Sequence, residues 1–97
     1  MAIMDTRYYV FIMTDKCNKS LFTGISRDLK KKVNERKSRF LSRFIKRVPT
    51  KLVYYEVFSD PYYAGVRERE IKSHSRLRKR ELIQCMNKDW RDLYEDL

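Results

Sequence analysis

Apolar residues are grouped along the chain in short blocks that predict strands. Tyr8 to Met13 is an unbroken run of β-favouring residues, and Leu21 to Ile25 is a second run after the polar segment 14–20. Such runs are typical of strands covered on both faces, and the polar segment between them is typical of a hairpin connection. Leu52 to Phe58 is a third run, so three strands are predicted.

Two helices are predicted where the apolar spacing lengthens. Ser26 can cap the first helix, in which Leu29, Val33 and Phe40 fall within about 40° of one another and form one buried stripe. Pro61 suits the first position of the second helix, because its fixed φ is already helical and its missing N–H is not needed there. The second helix is predicted to run to about Ser73.

The last third of the chain predicts one more helix and a docked tail. The third helix extends from Ser75 to Met86, and Asn87 ends it. Its inward-facing residues are predicted to be Leu82, Cys85 and Met86. The tail 89–97 holds the only tryptophan, Trp90, and we expect a short docked helix there.

The order of these elements is β-β-α-β-α-α, which predicts an α+β fold with helices flanking a small three-stranded antiparallel sheet. Simple alternation along the third strand would put Leu52 and Tyr54 on one face and Val53 and Tyr55 on the other. With 97 residues the chain has room for one core, so a single domain over residues 1–97 is expected.

The charge of the chain points to a polyanionic partner. Lys and Arg number 23 against 13 Asp and Glu, for a formal net charge of +10. The composition is also 42% hydrophobic, which is far above that of disordered chains. A folded domain with this excess of cations is expected to attract nucleic acid.

Several classes of site and protein are excluded by what the chain lacks. Cys17 and Cys85 are 68 positions apart and His74 is the only histidine, so the usual ligand spacing of a structural zinc site is absent. No apolar stretch approaches the roughly 20 residues of a membrane-spanning helix. We therefore expect no membrane association, and we expect a cytoplasmic location. The usual hydrolase and nucleotide-binding motifs are also missing.

Three charged residues are predicted close to buried helix faces. On the first helix Arg36 projects about 20° from the centre of the apolar stripe and Lys32 about 60° from it. Both could extend over the core into water, or they could bind phosphate. On the second helix Glu68 shares a face with Ala64 and Ile71. It could pair with Arg36 or Lys72, or it could be a ligand for a divalent cation.

Six segments occur in an order and spacing that resemble a known family. They are YYVFIMT, LFTGIS, a basic helix, KLVYYEVF, AGVREREIKSHSR and MNKDWRDLYED. Together they resemble the GIY-YIG endonuclease superfamily, in particular its small stand-alone bacterial members with a single domain. The resemblance covers nearly the whole chain and implies the fold of that superfamily together with nucleic acid as its substrate.

The resemblance also implies a set of site residues. The family cleaves phosphodiesters with a divalent metal on one glutamate, two motif tyrosines, and an arginine with a histidine or tyrosine on the first helix. The corresponding catalytic positions here are Glu68, which would hold Mg²⁺ or Mn²⁺, Lys32, Arg36 and Asn87; the motif positions are Phe11, Phe22 and the glycine Gly24. Both tyrosines are therefore phenylalanines, and the arginine and the histidine are Lys32 and Arg36.

These substitutions change the expected function. Phenylalanine has no oxygen and arginine cannot accept a proton at any working pH, so we expect a nucleic-acid-binding protein whose nuclease activity is reduced or lost. An active endonuclease, for instance on single strands, and a protein-interaction module are the alternatives, and enzymatic activity is left open. DNA is favoured over RNA as the partner. Besides Lys32 and Arg36, the cations expected to contact it are Arg27, Lys30, Lys31, Arg39, Arg43, Arg76, Arg78 and Lys79.

Overall fold

The secondary structure follows the predicted order of elements. The structure is a computed structural model that describes residues 6–38 and 49–97. Its strands are β1 (Tyr8–Thr14), β2 (Leu21–Ser26) and β3 (Lys51–Phe58); its helices are α1 (Leu29–Lys37), α2 (Pro61–Ser73) and α3 (Arg76–Met86), followed by a short 3₁₀ helix, Leu93–Asp96. The α+β fold class and the β-β-α-β-α-α order are thus confirmed.

The three strands form one antiparallel sheet in the order β2-β1-β3. In the register of β1 with β2, Phe11 lies opposite Gly24. In the register of β1 with β3, Tyr8 lies opposite Phe58. The central strand β1 is buried from Val10 onwards, which agrees with its unbroken apolar sequence.

An irregularity in β3 corrects the predicted alternation of its side chains. Ile12 pairs with Tyr54 and the next residue, Met13, pairs with Leu52, so Val53 is an extra residue in the ladder. An extra residue of this kind is a β-bulge, which shifts the period of two. The prediction that Leu52 and Tyr54 share a face was therefore wrong: they pack in different core clusters.

The sheet separates two apolar clusters. On one face, called here the α1 face, Phe11 and Met13 pack with Leu29 and Val33 of α1 and with Leu93 of the tail. On the other face, the α2 face, the cluster combines β1, α2, α3 and the tail; its members include Val10, Ile12, Ala64, Ile71, Ile83 and Trp90. Residues that alternate along β1 thus contact different helices.

The cap of α1 differs from the predicted one. Asp28, and not Ser26, is the N-cap, and its carboxylate accepts a hydrogen bond from the backbone N–H of Lys31 at 3.1 Å. Ser26 still belongs to β2, and its hydroxyl accepts a hydrogen bond from the N–H of Asp28. Ser26 therefore orders the turn before the helix. Leu29 and Val33 are buried as predicted, whereas Phe40 lies outside the described residues.

The buried side of α3 also differs from the predicted one. Ile83 is fully buried and Leu82 partly so, but Cys85 is exposed and Met86 is 44% exposed. At 100° per residue Cys85 lies about 160° from Ile83, so burial of Ile83 turns Cys85 outward. The prediction that Cys85 and Met86 face inward was therefore wrong.

The tail is docked, as expected, and ends in the 3₁₀ helix. The carboxylate of Asp92 caps that helix and also accepts a hydrogen bond from the N–H of Leu52 at 3.1 Å. The same carboxylate forms an ion pair with Lys37 of α1. Asp92 thus joins the tail to both β3 and α1. Among the described residues, no helix is long and apolar enough to cross a membrane.

Candidate active site

Two phenylalanine rings meet on the α1 face of the sheet. Phe11 on β1 is fully buried and Phe22 on β2 is half-buried. Their ring centroids are 6.1 Å apart with the planes inclined at 53°. The two motif positions are therefore neighbours in space, and the surface that they share carries only hydrocarbon.

Gly24 lies on the same face of the sheet, and its lack of a side chain leaves space for the two rings. A Cβ atom added to Gly24 would be 2.8 Å from Cζ of Phe11 and 3.0 Å from Cε2 of Phe22. Contacts that short force a displacement of the rings or of the backbone. The φ angle of Gly24 is not positive, so the glycine is needed for space and not for its backbone conformation.

Arg36 lies directly over one of the two rings. Its guanidinium carbon is 3.7 Å from the centroid of the Phe22 ring, within the range of a cation–π interaction. Arg36 is in the last turn of α1 and is half-buried, while Lys32, one turn earlier, is exposed. Arg36 therefore contacts the Phe22 ring directly. Lys32, the other cation predicted to border the buried side of α1, is exposed to solvent.

Glu68 faces the body of the protein from α2. Its side chain is only 18% exposed, compared with 53% for Glu70. One carboxylate oxygen of Glu68 is 3.2 Å from Nζ of Lys72, so of the two ion pairs that the sequence allowed the structure forms the one within the helix. Since α2 packs on β2 and β1, Glu68 is held on a helix beside the strands that carry the motif.

The helices α1 and α2, which carry the predicted site residues Arg36 and Glu68, pack on opposite faces of the sheet. Leu29 of α1 packs on the face that carries Phe11, whereas Ala64 and Ile71 of α2 pack on the opposite face. Contacts join Phe11, Phe22, Gly24 and Arg36 into one group on the α1 face, which we call the ring site.

Glu68 is the residue that the resemblance assigns to a divalent metal. A hard cation such as Mg²⁺ prefers oxygen ligands and can be held by one carboxylate together with phosphate and water. Among residues 6–38 and 49–97, no group of three or more His, Cys, Asp or Glu side chains is placed to hold a metal. A metal at Glu68 would need most of its ligands from the nucleic acid and water, in competition with Lys72, so metal binding there stays a prediction.

Asn87 has a structural role that its assignment to the catalytic set did not include. Its side-chain amide donates hydrogen bonds to the carbonyl oxygens of Val53, at 3.2 Å, and Arg91, at 2.7 Å. Its side-chain oxygen accepts a hydrogen bond from the N–H of Arg91 at 3.1 Å. Asn87 is buried and fastens the start of the tail to β3.

The remaining predicted cations lie on two sides of the sheet. Arg27 precedes α1 and lies over the ring of Tyr8, 5.7 Å from its centroid, and Lys30 and Lys31 are exposed on the first turn of α1. On α3, Arg76 and Arg78 are exposed and Lys79 is half-buried. Arg39 and Arg43 lie outside the described residues. Because α3 packs on the α2 face, these cations do not form one continuous stripe with those of α1.

Sequence analysis missed a polar network between β3 and α2. The hydroxyl of Tyr54 donates to the carboxylate of Glu56, and Arg67 binds the same carboxylate through Nε at 3.0 Å and through a terminal nitrogen at 2.9 Å. A carboxylate two residues after a tyrosine within an apolar strand was the available signal. The cation that pairs with it is on another element, so its identity could not be read from local spacing.

The network shifts the pKa values of its members. Burial, together with the neighbouring carboxylate of Glu56, raises the pKa of Tyr54 to about 12. Burial alone would also raise the pKa of Glu56, but the hydrogen bonds from Arg67 and Tyr54 outweigh it and hold that pKa below its usual value. Glu56 is thus a charged, partly buried group with its partners in place.

Comparison with known proteins decides the family. The model of the GIY-YIG catalytic domain matches residues 7–81. The chain belongs to the GIY-YIG family. The matched range contains β1, β2, α1, β3, α2 and the first half of α3, and it includes the ring site and Glu68.

Two relatives are UPF0213 proteins that align with this chain over most of their length. A UPF0213 protein of Haloquadratum walsbyi is 33% identical over 82 residues, which cover 84% of this chain and 91% of that protein. A UPF0213 protein of Staphylococcus saprophyticus is 37% identical over 79 residues, which cover 79% of this chain and 94% of the relative. These relatives are therefore little longer than the region that they share with this chain.

A solved structure of the same group has the same fold. The solution NMR structure of the UPF0213 protein BH0048 from Bacillus halodurans superposes with a TM-score of 0.58 at 26% identity, covering 89% of this chain and 92% of that one. The resemblance to stand-alone GIY-YIG proteins is thereby confirmed, and so is the fold that it implied. Membership of this family also makes nucleic acid the general class of substrate to consider.

Proposed function

We propose that this protein binds nucleic acid through the GIY-YIG fold and cleaves phosphodiesters slowly or not at all. The observation that carries the proposal is the ring site. There the two motif positions that the resemblance assigns to tyrosines are Phe11 and Phe22, and the guanidinium of Arg36 lies against the Phe22 ring.

The ring site lacks the groups that move protons. A phenylalanine ring can neither activate a water molecule nor hydrogen-bond to a phosphate. Arg36 keeps its proton at every working pH, so it cannot replace a histidine as a general base. The loss of a general base typically lowers a reaction rate by about 10² to 10⁴.

The groups that favour binding are retained. The net charge of +10 attracts phosphates at long range, and Lys32 is exposed on α1 one turn before Arg36. Lysine stabilises phosphate as a point charge, although it lacks the two-pronged geometry of arginine. These features support retention of an anionic substrate without rapid turnover.

The proposal is tested with labelled single-stranded DNA, duplex DNA and RNA, each incubated with the protein in Mg²⁺ or Mn²⁺. We expect binding that weakens as salt increases, because neutralised phosphates release counterions. We expect cleavage to be slow or absent, and any slow cleavage to be lost in Glu68→Ala, the variant that removes the predicted metal ligand. Glu70→Ala is the matched control, since Glu70 is on the same helix but more exposed.

Two outcomes would contradict the proposal. Rapid, multiple-turnover cleavage that depends on metal, is lost in Glu68→Ala and is kept in Glu70→Ala would show a working endonuclease. Absence of salt-sensitive binding to all three nucleic acids would show that the positive charge is only a solvated surface.

A further inference from the structure

Two tyrosines in the first turn of α2 expose their rings side by side. Tyr62 is 69% exposed and Tyr63 is 62% exposed. Their ring centroids are 5.3 Å apart and the planes are nearly perpendicular, at 83°. Asp60 caps this turn by accepting a hydrogen bond from the N–H of Tyr62 at 2.8 Å, so the helix that presents the rings is ordered.

The pair lies at the end of the sheet where cations are present. Phe58 is paired with Tyr8, and α2 begins only three residues after Phe58. Tyr8 packs on the α2 face, which is also the side on which α2 lies. Because Arg27 lies over the Tyr8 ring, an exposed guanidinium lies at the same end of the sheet as the tyrosine pair.

An open cavity of about 200 Å³ adjoins Arg27 on its other side. It is lined by Tyr9, Arg27, Asp28, Leu29, Lys30 and Leu97. The carboxylate of Asp28 caps α1 by accepting a hydrogen bond from the backbone N–H of Lys31. Arg27 and Lys30 thus give the cavity two cationic side chains next to an aromatic ring.

We propose that this end of the sheet binds single-stranded nucleic acid, with bases stacked on Tyr62 and Tyr63 and phosphates on Arg27 and Lys30. This inference rests on the proposed function and adds the form of the ligand. Proteins that bind single strands combine a cationic track for the backbone with aromatic rings for the bases. In a duplex the faces of internal bases are already stacked on one another, so the exposed tyrosines favour the single strand.

The test compares binding of fluorescently labelled 12-nucleotide single-stranded DNA, the same sequence as RNA, and a 12-base-pair duplex. We expect Tyr62→Ala/Tyr63→Ala to weaken binding to at least one of the single strands roughly 5- to 100-fold. Binding to the duplex should change less than about twofold, because its phosphate contacts are kept. The matched control is Leu77→Ala/Met86→Ala, which removes exposed apolar side chains from α3 and should change no affinity.

A second pair of variants separates stacking from other contributions. Tyr62→Leu/Tyr63→Leu keeps apolar surface but has no ring, and it should bind single strands as weakly as the alanine variant. Arg27→Gln should lower the dependence of affinity on salt, whereas the tyrosine variants should leave that dependence unchanged, since phosphate contacts set it.

Three results would overturn the inference. They are unchanged single-strand binding by a folded Tyr62→Ala/Tyr63→Ala protein, an equal loss on the duplex, and full binding by the leucine variant. In each case salt-sensitive binding by the unaltered protein would leave the proposed function standing. If the unaltered protein bound neither single strands nor duplex, the proposed function itself would fail, and the inference with it.

Discussion

The guanidinium carbon of Arg36 lies 3.7 Å from the centroid of the Phe22 ring, so a cation covers one face of this ring. An aromatic ring carries negative potential on its face, which attracts the guanidinium. Such contacts contribute about 0.5 to 2 kcal/mol, and more as the pair is removed from water. Phe22 provides the ring of this contact and Arg36 provides the cation.

The coupling of these two residues can be measured with a double-mutant cycle. Arg36→Gln, Phe22→Leu and the double variant should give a coupling free energy of about 0.5 to 2 kcal/mol in urea denaturation. Gln keeps part of the side-chain length, and Leu keeps an apolar group on the strand. Losses of stability that add within about 0.3 kcal/mol would show that the contact contributes nothing.

Two glycines should respond in opposite directions to the same substitution. Gly24→Ala should destabilise the protein by about 1 to 3 kcal/mol, because the new methyl group would overlap Phe11 and Phe22. Gly65, in the middle of α2, has no atom within 4 Å of an added Cβ. Gly65→Ala should stabilise by about 0.5 to 1 kcal/mol through helix propensity. Urea denaturation of both variants measures these changes in the free energy of unfolding. If Gly24→Ala left that free energy unchanged, the Phe11 and Phe22 rings would be able to shift at little cost.

The Tyr54–Glu56–Arg67 network should make stability depend on acidity. Because the pKa of Glu56 is lower in the folded protein than in the unfolded chain, its contribution is present above about pH 4.3. The contribution is lost as the pH falls from there through the folded pKa. Urea denaturation between pH 3 and pH 7 should therefore show that the free energy of unfolding falls less on acidification in Glu56→Gln than in the unaltered protein. Glu81→Gln, which removes an exposed carboxylate on α3 outside the network, is the control. If Glu56→Gln lost as much free energy of unfolding between pH 7 and pH 3 as the unaltered protein, the assignment would be contradicted.

Asn87 should be required for stability whether or not the protein cleaves nucleic acid. Asn87→Ala removes a side chain that bonds to Val53 and Arg91, and it should cost about 1 to 3 kcal/mol because their buried partner is lost. Asn34→Ala, at an exposed position on α1, should cost less than about 0.5 kcal/mol. Thermal or urea denaturation compares the two. Equal, small effects would mean that the other contacts of the tail, those of Asp92 and of its apolar side chains, are sufficient to hold it.

Those parts of the fold that depend on local pattern could be predicted from the sequence. The start of α2 was obtained because Pro61 suits the first helical position, a preference that acts within one turn. The bulge at Val53 could not be predicted, since it depends on pairing between β1 and β3 and not on the composition of β3. The cap of α1 was misplaced by two residues because serine and aspartate suit that role equally.

The strands and helices that carry the candidate site residues could be predicted from the sequence. The contacts of those residues in space could be predicted less well. The motif order placed Phe11 and Phe22, and their neighbouring strands bring the rings together. The partners of the long side chains were not determined by spacing: Arg36 could reach toward several elements, and Glu68 had two cations available. Packing of α1 and α2 on opposite faces of the sheet is a tertiary property, which helical periodicity alone does not determine.

The most direct test of the central claim is the single-turnover cleavage rate of a restored variant relative to the unaltered protein, on the same DNA with Mn²⁺. The restored variant combines Phe11→Tyr, Phe22→Tyr, Lys32→Arg and Arg36→His, and its folding is verified by its denaturation curve. We predict a rate at least about 10² higher than that of the unaltered protein, because a base and phosphate-binding hydroxyls return. A folded restored variant that cleaves no faster would contradict the claim that these four positions limit the chemistry.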